Sequence, residues 1–176
     1  MMSVLGSDEQ AFRDVYERSF SVLLKVAYHI TIDMDAAEDI CQEAFIRFYN
    51  RTIPFPSTDQ AVYWLIRVVK NLAFNYRKRK GREHRAIDRV RREPERVEAS
   101  GEDLLIQEET IRIVREALEK LPEKYRSVLV LKEYSGLTYQ EIGKILRISE
   151  SNVKVRVHRA RAQLESMIQG EDVYVR

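Results

Sequence analysis

The chain has 176 residues, room for one medium domain or two of about 80 residues each. Hydrophobic residues make up 44% and charged residues 33%, enough for packed cores under a solvated surface, while a net charge of only +2 excludes nucleic-acid binding by bulk charge alone. The single cysteine, Cys41, excludes a disulfide framework and a zinc finger built from several cysteines.

No apolar run approaches the ~20 residues of a membrane span, and Met1 to Gln10 carries no basic-then-apolar leader, so a soluble cytoplasmic protein is expected. Gly and Pro are scarce, and apolar residues recur at helical spacing almost end to end. The expected fold class is all-α: two small helical domains joined by a linker.

The first helix is expected from Ser7, as N-cap, to Tyr28, with Asp8 and Glu9 in its first turn and Phe12, Val15, Tyr16, Leu23 and Val26 facing a core. A second starts at Asp33 or Asp35 and runs to about Arg51. Between His29 and Arg47 it has no lysine or arginine, yet it carries Asp33, Asp35, Glu38, Asp39 and Glu43. Ile40, Ala44, Phe45 and Phe48 form its inner face, with Cys41 as a buried thiol. Its outer face is acidic, suited to a basic protein surface and repelled by DNA.

Pro54 and Pro56 break the pattern. The third helix is expected from Thr58 to Arg79 or Lys80, closing a first domain over residues 7–80. From Gln60 through Arg82 it reverses the charge, with seven basic residues and no acid. Tyr63, Arg67, Lys70 and Phe74 fall on one stripe, and Trp64, Arg67, Asn71 and Asn75 on the next. Aromatic faces stack on unpaired bases while cations such as Arg77 and Lys78 track the backbone, a combination suited to single-stranded nucleic acid. An extruded base also needs a pocket, to which the Pro-Phe-Pro-Ser loop can give one wall. The competing readings are Trp64 as core and the Arg77–Lys80 run as a helix end favoured by the dipole.

Residues 81–104 alternate arginines with acids and read as a linker; fully extended at ~3.4 Å per residue, its 24 residues span roughly 80 Å. A second helical unit is expected over residues 105–169. Ile106 to Lys120 is amphipathic, Pro122 opens a helix that Gly136 closes, and Thr138 to Glu141 has the form of a capping box. Ser149 caps the last helix, which runs to about Ile168.

Leu137 to Leu164 is the most specific stretch. Ile142, Ile145 and Leu146 give a short helix an apolar face, Gly143 allows close approach, and Arg147-Ile148-Ser149 makes a turn. Val153, Val157, Ala160 and Leu164 form the inner stripe of the next helix, leaving a basic outer surface. This is how a recognition helix is offered to a DNA major groove. Arg156, Arg159 and Arg161 suit phosphates, which carry no sequence information. Lys154, Val155 and His158 lie where base edges would be, with Ser149 and Asn152 as cap or phosphate residues at the helix start. No nucleophile–base set, phosphate-cradling loop or metal cluster is visible, and the three histidines show no ligand spacing. No enzyme, cofactor, metal or small-molecule substrate is therefore expected. The alternative is a stand-alone helix-turn-helix transcriptional regulator.

Asp35-Ala-Ala-Glu-Asp-Ile-Cys-Gln-Glu-Ala-Phe-Ile-Arg-Phe-Tyr49 and Trp64-Leu-Ile-Arg-Val-Val-Lys-Asn-Leu-Ala73 resemble sigma domain 2. Leu121-Pro-Glu-Lys-Tyr-Arg126, Leu137-Thr-Tyr-Gln-Glu-Ile-Gly143 and Val153-Lys-Val-Arg-Val-His-Arg-Ala-Arg-Ala162 resemble sigma domain 4. Their order and spacing resemble the extracytoplasmic-function sigma factors of the sigma-70 family. The resemblance implies that Asp35, Glu38, Asp39, Gln42 and Glu43 dock on the β′ coiled coil of core RNA polymerase. It implies that Tyr63, Trp64, Arg67, Lys70, Asn71 and Asn75 read and melt the −10 element. The recognition helix would read duplex DNA at the −35 element, and Leu121, Tyr125, Val128 and Leu129 would partly serve the β flap. The linker would pass near the polymerase active-site channel, and an anti-sigma factor would hold the protein inactive. Many relatives carry an acid where this chain has Asn75 and a small hydroxyl residue where it has Val155, which implies its own −10 and −35 preferences.

Overall fold

In the computed structural model, residues 3–88 and 112–169 are described. The first helix, α1 (Glu9–Thr31), buries Val15, Leu23, Val26, Ala27 and Ile30 along one stripe. Its cap is Asp8, one residue later than the expected Ser7; the Asp8 carboxylate accepts from the Ala11 N–H at 2.7 Å. Tyr16, expected in the core, is 40% exposed and lies over Phe20 and Phe45 at the edge of the α1–α2 seam. Helix α2 (Met34–Tyr49) starts from an Asp33 cap and buries Ile40, Cys41, Ala44, Phe45 and Phe48. Burial, with a smaller push from Glu38, raises the Cys41 thiol to about 12, so it is inert packing.

Asp33 joins three elements. It accepts from the Ala36 N–H at 3.1 Å, from Tyr76 Oη at 2.7 Å and from Lys80 Nζ at 3.0 Å. These bonds, the backbone one first, hold its carboxyl down to about 2. The folded state thus favours ionised Asp33, a contribution present above its ordinary value of 3.8 and lost as pH falls through about 2. Asp33→Ala is expected to cost about 1–2 kcal/mol at pH 7, the size of a lost N-cap. The urea-midpoint gap from wild type should narrow steadily below pH 4; a gap independent of pH would refute the charged cap.

Between α2 and α3, prolines flank Phe55 and hold it extended, and Phe55 pairs with Val4 through two 2.8 Å backbone hydrogen bonds. Phe55 is thereby turned inward against Phe48 and Trp64. Gly6 is required beside this pairing, since a Cβ there would lie 2.0 Å from the Phe48 carbonyl oxygen.

Helix α3 (Thr58–Asp88) packs on α1 and α2 and does not stop at Gly81, where the first domain was expected to close. One glycine costs about 1 kcal/mol inside a helix, and the lysines, arginines and glutamates around it are good helix formers. Of the expected linker, residues 81–88 continue α3 and the rest lies outside the described residues.

The C-terminal unit comprises α4 (described over 112–120), α5 (Glu123–Tyr134), α6 (Tyr139–Leu146) and α7 (Glu150–Gln169). Gly136 takes φ +69°, the left-handed turn that ends α5 and leads into α6. Val128, Val130, Leu131, Ile142, Ile145, Val153 and Val157 join the buried residues of α1–α3 in one continuous core. A smaller cluster of Leu121, Tyr125, Leu129 and Ala160 lies on the far side of α5. Among the described residues no helix is long and apolar enough to cross a membrane, and no His, Cys, Asp and Glu side chains group to hold a metal.

Candidate nucleic-acid and protein interfaces

The α6–α7 pair is built by local chemistry. Thr138 Oγ1 accepts from the Glu141 N–H at 3.2 Å, and Glu141 Oε2 accepts from the Thr138 N–H at 2.8 Å, completing the capping box. Arg147 ends α6 in the left-handed conformation at φ 59°, and its N–H and that of Ile148 both donate to the Gly143 carbonyl. A Cβ at Gly143 would lie 2.8 Å from the Ile148 carbonyl oxygen, so the tight turn needs the glycine it has. Ser149 Oγ accepts from the Asn152 N–H at 3.2 Å and caps α7.

On α7, Val153, Val157 and Ala160 are buried, while Ser149, Asn152, Lys154, Val155, His158, Arg159 and Arg161 are exposed and Arg156 is half-buried. The outer side chains are partly pre-set. Glu150 holds Lys154 at 2.7 Å, Asn152 Oδ1 accepts from Arg156 Nε at 3.0 Å, and Glu133 on α5 holds Arg161 at 2.6 Å. Their carboxylate partners raise the Lys154 and Arg161 pKa values, so both remain cationic. The exposed outer face of α7 carries Lys154, Arg159 and Arg161, cations of the kind a helix brings to a major groove.

On α2, Asp35, Glu38, Asp39, Gln42 and Glu43 are all exposed, with Glu43 bonded to Arg47 at 2.7 Å. Two flanking features escaped the sequence reading. An apolar groove of about 430 Å³ runs between Tyr16, Phe20, Phe45 and Ile46, edged by Glu38 and Gln42. A cleft of about 440 Å³ separates Asp39 and Glu43 from Asn75, Arg79 and Arg82 across α2 and α3. Only the outward place of Ile46 and Tyr49, 54% and 56% exposed, signals in the sequence that this acidic face also carries apolar surface.

The residues singled out on α3 are not all on one open face. Asn71, Asn75 and Lys78 are exposed. Phe74 is buried, only 5% exposed, so it fills the core and presents no ring to a base; this corrects its assignment to the nucleic-acid face. Trp64 is half-buried against Phe55, with ring centroids 5.6 Å apart and the Arg51 guanidinium 5.5 Å above the indole. Leu121, Tyr125, Val128 and Leu129, which the resemblance assigned in part to the β flap, are likewise buried in the cores around α5.

Tyr63, Arg67, Lys70 and Arg77 lie half-buried beneath the C-terminal unit. Tyr63 Oη donates to Glu141 Oε1 at 3.0 Å, and burial together with that carboxylate pushes the phenol up to about 12. Arg67 donates from Nε to the Ile145 carbonyl at 2.8 Å and from Nη2 to the Lys144 carbonyl at 3.2 Å. Glu123 receives Lys70 at 3.7 Å and Lys78 at 3.0 Å, and burial lowers the Lys70 pKa more than Glu123 restores it. Arg77 reaches the Glu119 carbonyl at 3.5 Å.

Comparison with known proteins follows the same division of the chain. Residues 15–83 match the family described as Sigma-70 region 2, and residues 111–164 match Sigma-70, region 4. The chain is 33% identical over 174 residues to the ECF RNA polymerase sigma factor SigW of Bacillus subtilis, covering 94% of this chain and 92% of that protein. It is 34% identical over 139 residues to the ECF RNA polymerase sigma-E factor of Escherichia coli K12, covering 74% of this chain and 73% of that one. In fold it is similar to the sigma factor RpoE solved with the anti-sigma factor NepR from Bartonella quintana, with TM-score 0.62, 22% identity and coverage of 91% and 98%. It is similar also to CnrH solved with the cytosolic domain of CnrY, with TM-score 0.64, 23% identity and coverage of 95% and 94%.

Proposed function

The chain belongs to the extracytoplasmic-function group of the sigma-70 family and is an RNA polymerase sigma factor, and on that premise we propose that its three charged faces divide promoter recognition between them. The exposed acids of α2 dock on the β′ coiled coil of core polymerase, with the groove at Tyr16, Phe20 and Ile46 taking an apolar side chain of that surface. The basic face of α3 receives the unpaired strand of the −10 element. The outer face of α7 reads duplex at the −35 element, and the C-terminal unit meets the β flap.

The observation that carries this reading is the exposed acidic face of α2 set beside a basic α3 in the same small unit. Helix α2 repels DNA and so wants a protein, while α3 wants a polyanion; a stand-alone duplex binder has no use for the first. Strand opening on this reading is binding work. Unpairing is offset by stacking of extruded bases at ~1–3 kcal/mol each and by cation contacts along the backbone, so no catalytic residue is assigned to this chain. The protein acts in the cytoplasm with its polymerase, and an anti-sigma factor is its expected inhibitor. RpoE and CnrH, which share its fold, were each solved with such a protein or its named partner.

The test is transcription by purified bacterial core polymerase, with and without this protein, on templates randomised at the −35 and −10 positions. New, sequence-specific start sites are expected only in its presence. Absence of core binding together with duplex binding by the free protein would instead establish a stand-alone helix-turn-helix regulator.

A further inference from the structure

A short segment ahead of α1 pins the loop that joins α2 to α3. Pro54 and Pro56 have no N–H to give, so the Phe55 amide is the one backbone donor of that stretch. Val4 takes it. Each of the two residues donates its N–H to the other's carbonyl at 2.8 Å, and both side chains are buried. The segment is tied at its other end too, where the Leu5 carbonyl accepts from the N–H of Asp8, the cap of α1, at 3.1 Å. Between these ties it crosses the last turn of α2 at the point where only Gly6 fits.

Phe55 carries this restraint inward. Its ring centroid lies 6.0 Å from that of Phe48 on α2 and 5.6 Å from that of Trp64 on α3. The Arg51 guanidinium lies over both loop and helix rings, 4.6 Å from the Phe55 centroid and 5.5 Å from that of Trp64. Arg51 Nε is buried with no hydrogen-bond partner. Burial of an unpaired donor is unfavourable, so the rings, and not a polar partner, hold this cation in place. Thr52, Ile53, Pro54 and Pro56 are exposed, so the loop is held from its inner side.

We infer that Val4 and Arg51 are positioning residues for promoter opening. Val4 acts through Phe55, and Phe55 with Arg51 fixes the Trp64 indole on which an unpaired −10 base stacks. This rests on the proposed function, which gives α3 to the −10 strand. A ring already in place when the base arrives returns the full gain of stacking, whereas one that must first be ordered consumes part of it. Trp64 is half-buried, so Phe55 and Arg51 cover part of the indole and leave part open to a base.

Trp64 is the chain's one tryptophan, so its emission reports its own surroundings. In the full chain without polymerase, Val4→Pro removes the N–H given to Phe55 and is expected to raise acrylamide quenching about twofold. Arg51→Met should raise quenching by a smaller factor. Its stability should change little, because the lost ring contacts are offset by removal of an unpaired buried donor. Val4→Ile keeps both backbone bonds and should match wild type.

The functional readout is the holoenzyme formed with core polymerase, bound to single-stranded −10 oligonucleotides of the sequence that the transcription assay selects. One base at a time is replaced by an abasic site. Wild type should lose about tenfold at one position, the size of one stacked base. Val4→Pro should bind the intact oligonucleotide about tenfold more weakly, yet lose almost nothing further at that abasic position. At the other positions its losses should equal those of wild type, and core binding should be unchanged. A merely loosened fold would weaken every oligonucleotide alike. Should Val4→Pro unfold, Arg51→Met decides, with about a threefold effect in the same direction. Quenching at the wild-type level in these variants, or an undiminished loss at the abasic position, overturns the inference. A wild-type holoenzyme with no position-dependent loss would instead overturn the −10 assignment of α3, and the positioning role with it.

Discussion

Reversing two charges on α2, Glu38→Lys with Asp39→Lys, should weaken binding to core polymerase at least 100-fold and abolish promoter-selective transcription. The acids of α2 stand in a row without a basic residue until Arg47, so a partner that fits them is basic, and two lysines would face it with like charge. Like-charge juxtaposition across an interface costs several kcal/mol, and about 2.7 kcal/mol already corresponds to 100-fold. Both side chains are exposed, so the fold should tolerate the change within about 0.5 kcal/mol. Duplex binding by α7 should be untouched, because α7 belongs to the other unit. The measurement is competition with a labelled wild-type chain for core, alongside thermal unfolding and duplex binding. A variant that competes as well as wild type would remove α2 from the polymerase interface. The wild-type affinity should also fall as salt rises, since exposed charge pairs are screened.

The all-α class, the acidic α2, the capping box at Thr138 and the Ser149 cap are all legible in the chain because each rests on residues within one turn of each other. The choice between Ser7 and Asp8 is not, because either side chain caps well and backbone geometry alone decides. Gly81 misleads for a related reason: glycine ends a helix only where the chain turns left-handed, and here it stays helical. Phe74 fails differently. Its i, i+4, i+7 and i+11 stripe with Tyr63, Arg67 and Lys70 is real, but α3 is covered by α1 and α2 on one side and by α6 on the other. A stripe that looks polar in sequence can therefore be an internal seam. Part of the packing between the two units is hidden in the sequence because Arg67 bonds to the carbonyls of Lys144 and Ile145, and Arg126 to those of His29 and Ile30. Every residue has one, so no side-chain pattern announces the acceptor.

Two single substitutions on α7 should separate affinity from specificity. Arg159→Ala is expected to weaken duplex binding evenly across −35 sequences and to reduce the salt dependence by about one counterion, the signature of a lost phosphate contact. Lys154→Ala should change which sequences bind, losing about 1–3 kcal/mol, or roughly 5- to 150-fold, on templates with guanine at the contacted position and little elsewhere. The structure adds a condition, because Lys154 is already bonded to Glu150 one turn earlier at 2.7 Å. Guanine must draw the ammonium away from that carboxylate, so part of the gain on binding is consumed in breaking an existing pair. Glu150→Gln should therefore strengthen binding to guanine-bearing sites while leaving others nearly unchanged, and it should do so only when Lys154 is present. Measured as a double-mutant cycle over a panel of −35 duplexes, the coupling of Glu150 with Lys154 should be largest on guanine. A coupling equal on every duplex would mean that Lys154 serves a phosphate, and base reading on α7 would pass to Val155 and His158, the exposed neighbours on the same face.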